Sequence, residues 1–256
     1  MKYCIIAFVI ALIGEGCFAA TPAPTVSTNL LKAVKATATP PVTWSDTATL
    51  GLTVTAGNVD SVLTTGKISS ERKSPHDDLT LGADGAYGEV SGVQSVNSVH
   101  GAAQENHTFI DDTWYGYVRE DALHDEIANV QYRSTSGAGA GYYFIKNKAT
   151  TLSSEAGPSF ETEKLDNQVN NYPGARIAEN FEHKIDDHAR VWENVEFLPP
   201  LTFPDAFLIN AEVGVETPLT KTLSLQTYLQ DNYANVPAPG YKPNDLKLVS
   251  GLVLKF

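Results

Sequence analysis

The chain has 256 residues, 42% of them hydrophobic, a mean hydropathy of -0.17 and a formal net charge of -12. A helical membrane protein shows runs of about 20 apolar residues; the longest here is Ile5 to Ile13, so that class is excluded. The acidic balance argues against nucleic acid as a partner and against a polybasic membrane-surface binder. A transmembrane β-barrel stays open, because half of each of its strands faces the interior and is polar.

Residues 1–19 carry the features of a secretory signal peptide: Lys2, the apolar core Ile5 to Ile13, and a small-x-small cleavage site at Cys17-Phe18-Ala19. A lipoprotein reading through Cys17 is disfavoured by Gly14 and Glu15. Cys4 and Cys17 are the only cysteines, so the processed chain is expected to have no disulfide and no Cys-ligated metal. Residues 20–43, rich in Thr, Ala and Pro without periodicity, read as a flexible periplasmic tether.

From Trp44 to Phe256 the texture is strand after strand. Ala48, Leu50, Leu52, Val54 and Ala56 alternate with Thr47, Thr49, Gly51, Thr53 and Thr55 up to a turn at Gly57-Asn58. Leu79, Leu81, Ala83 and Tyr87 alternate with Thr80, Gly82 and Asp84, and the Ser/Gly/Asn-rich residues 91–106 read as a loop. Trp114 to Val118 is an aromatic strand, and Ile127 to Ile145 a long strand-like stretch broken by Gly137, Gly139 and Gly141. Further on, Leu152, Ala156 and Phe160 oppose Glu155, Gly157 and Glu161, and Phe207, Ile209, Ala211, Val213 and Val215 oppose Glu212, Gly214 and Glu216. Leu223, Leu225 and Leu229 oppose Ser224, Gln226 and Tyr228; last, Leu246, Leu248, Leu252, Leu254 and Phe256 oppose Lys247, Val249, Gly251, Val253 and Lys255.

A terminal strand of this kind would leave an aggregation-prone edge in an open sheet. Pairing with the strand near Ala48 to Ala56 removes that edge. The fold predicted is therefore all-β: a closed antiparallel transmembrane β-barrel of 10–12 strands. Eleven are counted if Ile127 to Ile145 is one strand; splitting it near Ser134 to Gly137 gives twelve, the favoured number. From a periplasmic C-terminus, the short connections at Asn147, Ile185 to Asp187 and Thr217 to Leu219 fall on the periplasmic side. The long ones, Lys164 to Asn171, Phe197 to Asp205 and Tyr233 to Asn244, fall outside. Glu179 and Glu193 occupy otherwise lipid-facing positions and are expected near the rim or turned by a bulge. Tyr87, Trp114, Tyr115, Tyr117, Tyr143, Phe144, Tyr172, Trp192, Phe197, Phe203 and Phe207 are expected in interfacial girdles.

Alternation also assigns a charged inner wall: Glu155, Glu161, Glu163, Arg176, Glu182, Arg190, Glu196, Glu212, Glu216, Lys247 and Lys255. Two readings stay open. The set is either a cation-preferring lumen or an internal salt-bridge network that plugs a narrow barrel. Gly137-Ala138-Gly139-Ala140-Gly141 lacks the following helix that a phosphate-binding loop needs, and reads as small residues allowing close strand approach. His183, His188, Asp186 and Asp187, like His76-Asp77-Asp78 and Asp121 to Asp125, read as polar turn residues that complete no metal-ligand set. No spacing of Ser and His selects a catalytic triad.

In order along the chain, Gly51-Leu52, Gly57-Asn58-Val59-Asp60, Tyr132-Arg133 with Gly139, Gly141 and Tyr142, and Leu152 with Glu155-Ala156-Gly157 resemble the DUF481 family. The set continues with Pro237, Pro239 and Gly240, then Asp245, Gly251 and Phe256. That family is described as salt-induced outer-membrane proteins of unknown function, and the resemblance implies an outer-membrane barrel with no catalytic residues to transfer. Gly251, Leu254 and Phe256 also resemble the terminal signal read by the barrel-assembly machinery, although Val249 departs from the polar residue usual at its start. The expectation is a bacterial outer-membrane protein, structural or a small-solute or ion pore, with a role in osmotic or salt stress suggested by the family's description. It needs no cofactor and has no enzymatic activity; its partners are outer-membrane lipid and the assembly machinery. The alternatives are a membrane-embedded hydrolase of lipid or peptide, and a soluble secreted β-sandwich adhesin with a polar exterior all round.

Overall fold

The computed structural model describes residues 42–55, 61–109, 112–165, 168–186, 188–237 and 240–256. The signal segment, nearly all of the tether, the Gly57-Asn58 turn, Asp187 and Pro239 lie outside the described residues.

Twelve strands form one closed antiparallel barrel in sequence order, with the last paired to the first. They are β1 (Thr43–Thr55), β2 (Ser61–Lys73), β3 (Asp77–Val90), β4 (Val93–Thr108), β5 (Trp114–Asp125) and β6 (Val130–Lys146). The second half comprises β7 (Thr150–Leu165), β8 (Gln168–Asp186), β9 (Ala189–Leu198), β10 (Leu208–Pro218), β11 (Leu223–Ala234) and β12 (Asn244–Lys255). The long 199–207 connection holds a single 3-10 turn, Pro204–Ala206.

Burial is inverted relative to a water-soluble sheet. Leu50 is 74% and Val118 65% exposed, whereas Glu155 is 2% and Arg176 4% exposed. Along β12 the outward Leu246, Leu248, Leu252 and Leu254 are exposed while the inward Lys247, Val249, Gly251 and Val253 are buried. An apolar outer band with a polar inside suits a lipid surround and leaves no polar exterior for a soluble sandwich.

The count of twelve arises differently from the sequence expectation. Residues 91–106 are not a loop: Ser91 and Gly92, both with positive φ, make a two-residue hairpin turn, and β4 runs from Val93. Its inward positions are Ser98, His100, Ala102, Gln104 and Asn106, paired across β3 with Ala86, Asp84, Gly82, Thr80 and Asp78. The strand looked like a loop by composition because its polar side chains face the lumen. Conversely, β6 passes unbroken through Ser134 to Gly137. The Asp121 to Asp125 segment is no turn either but the second half of β5.

Glu179 and Glu193 face outward as diagonal neighbours on β8 and β9, opposite Val195 and Phe181 respectively. The irregularity in this strand pair lies between Lys184 and Asp186, so no bulge turns either carboxylate inward. A lipid-facing carboxylate is costly, the more so beside another. Replacing Glu193 by leucine is expected to raise stability by about 1–2 kcal/mol, read as the urea midpoint in phosphatidylcholine vesicles. A fall in that midpoint would place the pair in the polar rim.

Candidate functional site: the charged lumen

Register places all eleven charges selected from the sequence on the inner face, and it joins most of them into three groups. At the waist, Arg176 on β8 pairs with Glu155 on β7 at 2.6 Å and Glu196 on β9 at 2.5 Å. Its guanidinium lies over the ring of Tyr117, 5.0 Å from the centroid. Glu155 also accepts hydrogen bonds from the Tyr115 hydroxyl (2.9 Å) and from Gln104 Nε2 (2.8 Å). A buried carboxylate is tolerable only with its lone pairs filled in this way.

The glycines of β6 explain why this cluster fits. A Cβ on Gly141 would lie 2.1 Å from the ring of Tyr115, and one on Gly139 would lie 2.8 Å from that of Tyr117. Bare backbone at these inward positions forms the floor on which both rings lie. Trp192 uses the same device over Gly214, where a Cβ would come within 2.3 Å of its ring, while its indole N–H donates to Glu212 (2.7 Å). Tyr115, Tyr117, Tyr172 and Trp192 are therefore buried in the interior rather than set in a girdle. Trp114, Tyr142 and Phe144 do cluster outside, near the strand ends at one rim, with ring centroids 4.9 and 5.1 Å apart.

From the waist, polar contacts continue along β5, β4 and β3. Glu196 lies 3.8 Å from Arg119, which pairs with Asp121 at 2.7 Å. Asp121 holds one ring nitrogen of His100 at 3.0 Å, and Asp84 holds the other at 2.9 Å. Both nitrogens can donate at once only in the imidazolium form. Sequence reading missed Asp84, His100, Gln104, Arg119 and Asp121. The available signal was the two-residue spacing of Ser98, His100, Gln104 and Asn106, obscured by their polar company.

The second group lies toward the rim away from the C-terminus. Arg133 is 2.9 Å from Glu163 and 3.3 Å from Glu161; Tyr172 donates to Glu161 and Asn170 to Glu163. The third lies toward the rim that carries the C-terminus, where Arg190 joins Glu182 (2.9 Å) and Glu216 (2.6 Å) and Lys255 reaches Glu216 at 2.5 Å. Lys247 pairs with Asp245 at 2.9 Å. Of the proposed terminal signal, Gly251 is buried against β1 while Leu254 and Phe256 are exposed.

A cavity of about 230 Å³ extends from the 235–243 connection, where Pro237, Tyr241 and Lys242 line it, to Asp84, His100, Arg119, Asp121 and Glu196. Asn210, Tyr228, Gln230 and Asn232 line it as well, beside Lys247 and Asp245. A smaller void, about 40 Å³, continues past Arg119 and Arg133 to Arg176. His183, offered above as a turn residue, contacts the Thr150 hydroxyl at 2.8 Å, and His188 is exposed beside Asp186. Gly137 to Gly141 lie within β6, with strand on both sides.

The profile of the family described as "Protein of unknown function, DUF481" matches residues 48–256. No curated protein matches the chain in sequence. Among solved structures, a NanC porin superposes with a TM-score of 0.51 at 10% identity, covering 82% of this chain and 98% of that one. An outer membrane channel from Pseudomonas putida F1 gives a TM-score of 0.49 at 12% identity, covering 88% of this chain and all of that one. At 10% identity the likeness to the NanC porin is one of fold.

Proposed function

The chain belongs to the DUF481 family, proteins of unknown function, and from that premise we propose that it is a narrow, cation-preferring pore of the bacterial outer membrane, without enzymatic activity. The observation that carries this is the cavity lined by charged side chains and ending on the Arg176 waist, inside a barrel with an apolar exterior. The two readings left open by the sequence combine: the salt-bridge network forms the constriction of a lumen. Carboxylates outnumber cations among the eleven inward charges selected from the sequence, seven Glu against two Arg and two Lys, and Asp84 and Asp121 balance Arg119 and Arg133 beside them; rings of carboxylates favour cations in pores. The hydrolase alternative gains no support from His100, which is flanked by carboxylates and not by a hydroxyl. The two long connections, 199–207 and 235–243, lie on the rim opposite the C-terminus, where the expected Lys164 to Asn171 loop is instead a two-residue connection between β7 and β8; long connections are external in a bacterial barrel, so the cavity mouth would face outward.

The test is conductance of the purified protein in a planar bilayer under a potassium chloride gradient. Small discrete steps with a reversal potential displaced toward that of potassium are expected. A silent bilayer, or a displacement toward chloride, would overturn the reading.

A further inference from the structure

The barrel wall is not equally closed all the way round. β1 and β12 are registered over five pairs, from Thr47↔Lys255 to Gly51↔Gly251. Beyond that glycine pair both strands continue. β1 stays paired with β2 up to Thr55↔Ser61, and β12 stays paired with β11 up to Asn244↔Tyr233. Across the seam, among the described residues, no pair follows Gly51↔Gly251. The strands touch at that point: a Cβ on Gly251 would lie 2.7 Å from the Leu50 carbonyl oxygen, and one on Gly51 would lie 3.0 Å from that of Ser250. Beyond it no further pair is registered among the described residues, though the Val249 side chain stands 3.2 Å from the Cβ position of Gly51; this unpaired wedge has the two glycines at its apex.

An open strand edge does not persist against hydrocarbon, because lipid cannot satisfy its N–H and C=O groups. It is tolerated where it borders a water-filled cavity. The cavity lies on the inner side of this wedge: Asp245, Lys247 and Val249 of β12 and Thr65 of β2 line it. Outside, Leu52, Leu246 and Leu248 are exposed at the wedge's margins. The wedge thus separates an apolar exterior from a polar chamber that carries the Lys247–Asp245 ion pair. That polarity matches a molecule with one polar end and one alkyl chain.

We propose that the unpaired half of the β1–β12 seam is a lateral portal through which a single-chain amphiphile passes between the lumen cavity and the membrane. This goes beyond the pore reading, since it concerns exchange sideways through the wall rather than flow along the axis.

Two measurements test it. If the strands were zipped throughout, Thr53 would face Val249 by continuation of the register that sets Leu50 opposite Leu252. Under mild oxidation the pair Leu50→Cys with Leu252→Cys should form a disulfide, whereas Thr53→Cys with Val249→Cys should not. Equal yields at the two positions would overturn the proposal. Independently, stearate carrying a chain-borne diazirine, added to vesicles holding the unmodified protein, should on illumination label inward Val249 and Tyr228 as well as outward Leu248. The Tyr228 adduct, present in the unbridged Thr53→Cys, Val249→Cys variant, should be lost when the two cysteines are joined by a bismaleimide. Adducts confined to outward residues, or inward adducts surviving the bridge, would sink the portal. A silent bilayer with inward labelling would remove the pore reading alone.

Discussion

Replacing Arg176 by alanine is expected to widen the pore and weaken the barrel together. The guanidinium is the shared partner of Glu155 and Glu196 and covers the ring of Tyr117. Its removal leaves Glu155, 2% exposed, without a cation and leaves Glu196 only Arg119 at 3.8 Å. Breaking a buried ion pair from one side costs about 3–5 kcal/mol, mostly for the charge left behind. Single-channel conductance should rise while the urea midpoint falls, and Glu155→Gln added to Arg176→Ala should recover part of the stability and keep the wider pore. Arg190→Ala is the contrast. Its side chain is 37% exposed, and Glu216 keeps Lys255; about 1 kcal/mol or less is expected there. Unchanged conductance in Arg176→Ala would show that the constriction lies elsewhere.

Gly139→Val is expected to prevent formation of the folded barrel or to cost it about 3 kcal/mol or more, the upper end for overpacking. Gly139 and Gly157 face each other across β6 and β7, and a Cβ on either would meet unyielding backbone. From Gly139 it would stand 2.3 Å from the Ala156 carbonyl oxygen and 2.8 Å from Gly157 Cα; from Gly157, 2.1 Å from the Ala138 carbonyl oxygen. The Tyr117 ring closes the remaining side. Gly101→Ala should be nearly silent, because nothing lies closer to its Cβ position than the Gly82 carbonyl oxygen at 3.9 Å. The fraction of protein migrating as a compact band before heating distinguishes the two. Equal compact fractions would mean that the β6–β7 contact relaxes.

Period-two alternation was enough to identify the fold and to sort side chains by face where both faces were chemically distinct. β12 shows this most plainly, with leucines on one side and lysines, valines and glycine on the other. It failed where the contrast was weak. The outward side of β4 is Val99, Gly101 and Ala103, and the inward side is Ser98, His100 and Ala102, so small residues on both faces left little amplitude to read. The glycines of β6 misled for the opposite reason. Taken as breaks, they are positions where neighbouring rings occupy the space of the missing side chains.

By itself, then, the sequence determined that this chain is a barrel, roughly how many strands it has and the inward face of eleven charges, though not of His100, Arg119, Asp121 or Arg133. Each follows from local geometry: side chains alternate with period two, and a slip of one residue would turn a whole strand inside out. Only the tertiary structure decided which inward charges meet, that β4 supplies the missing strand, and that the seam closes over half its length. Those outcomes depend on the offset between strands and on where bare backbone lets rings and neighbouring strands approach. Neither is encoded in the spacing of residues along any one strand. Arg176 reaches Glu155 and Glu196 because β7, β8 and β9 pair in one particular register, and the alternation within each strand is the same in every even-numbered shift of it.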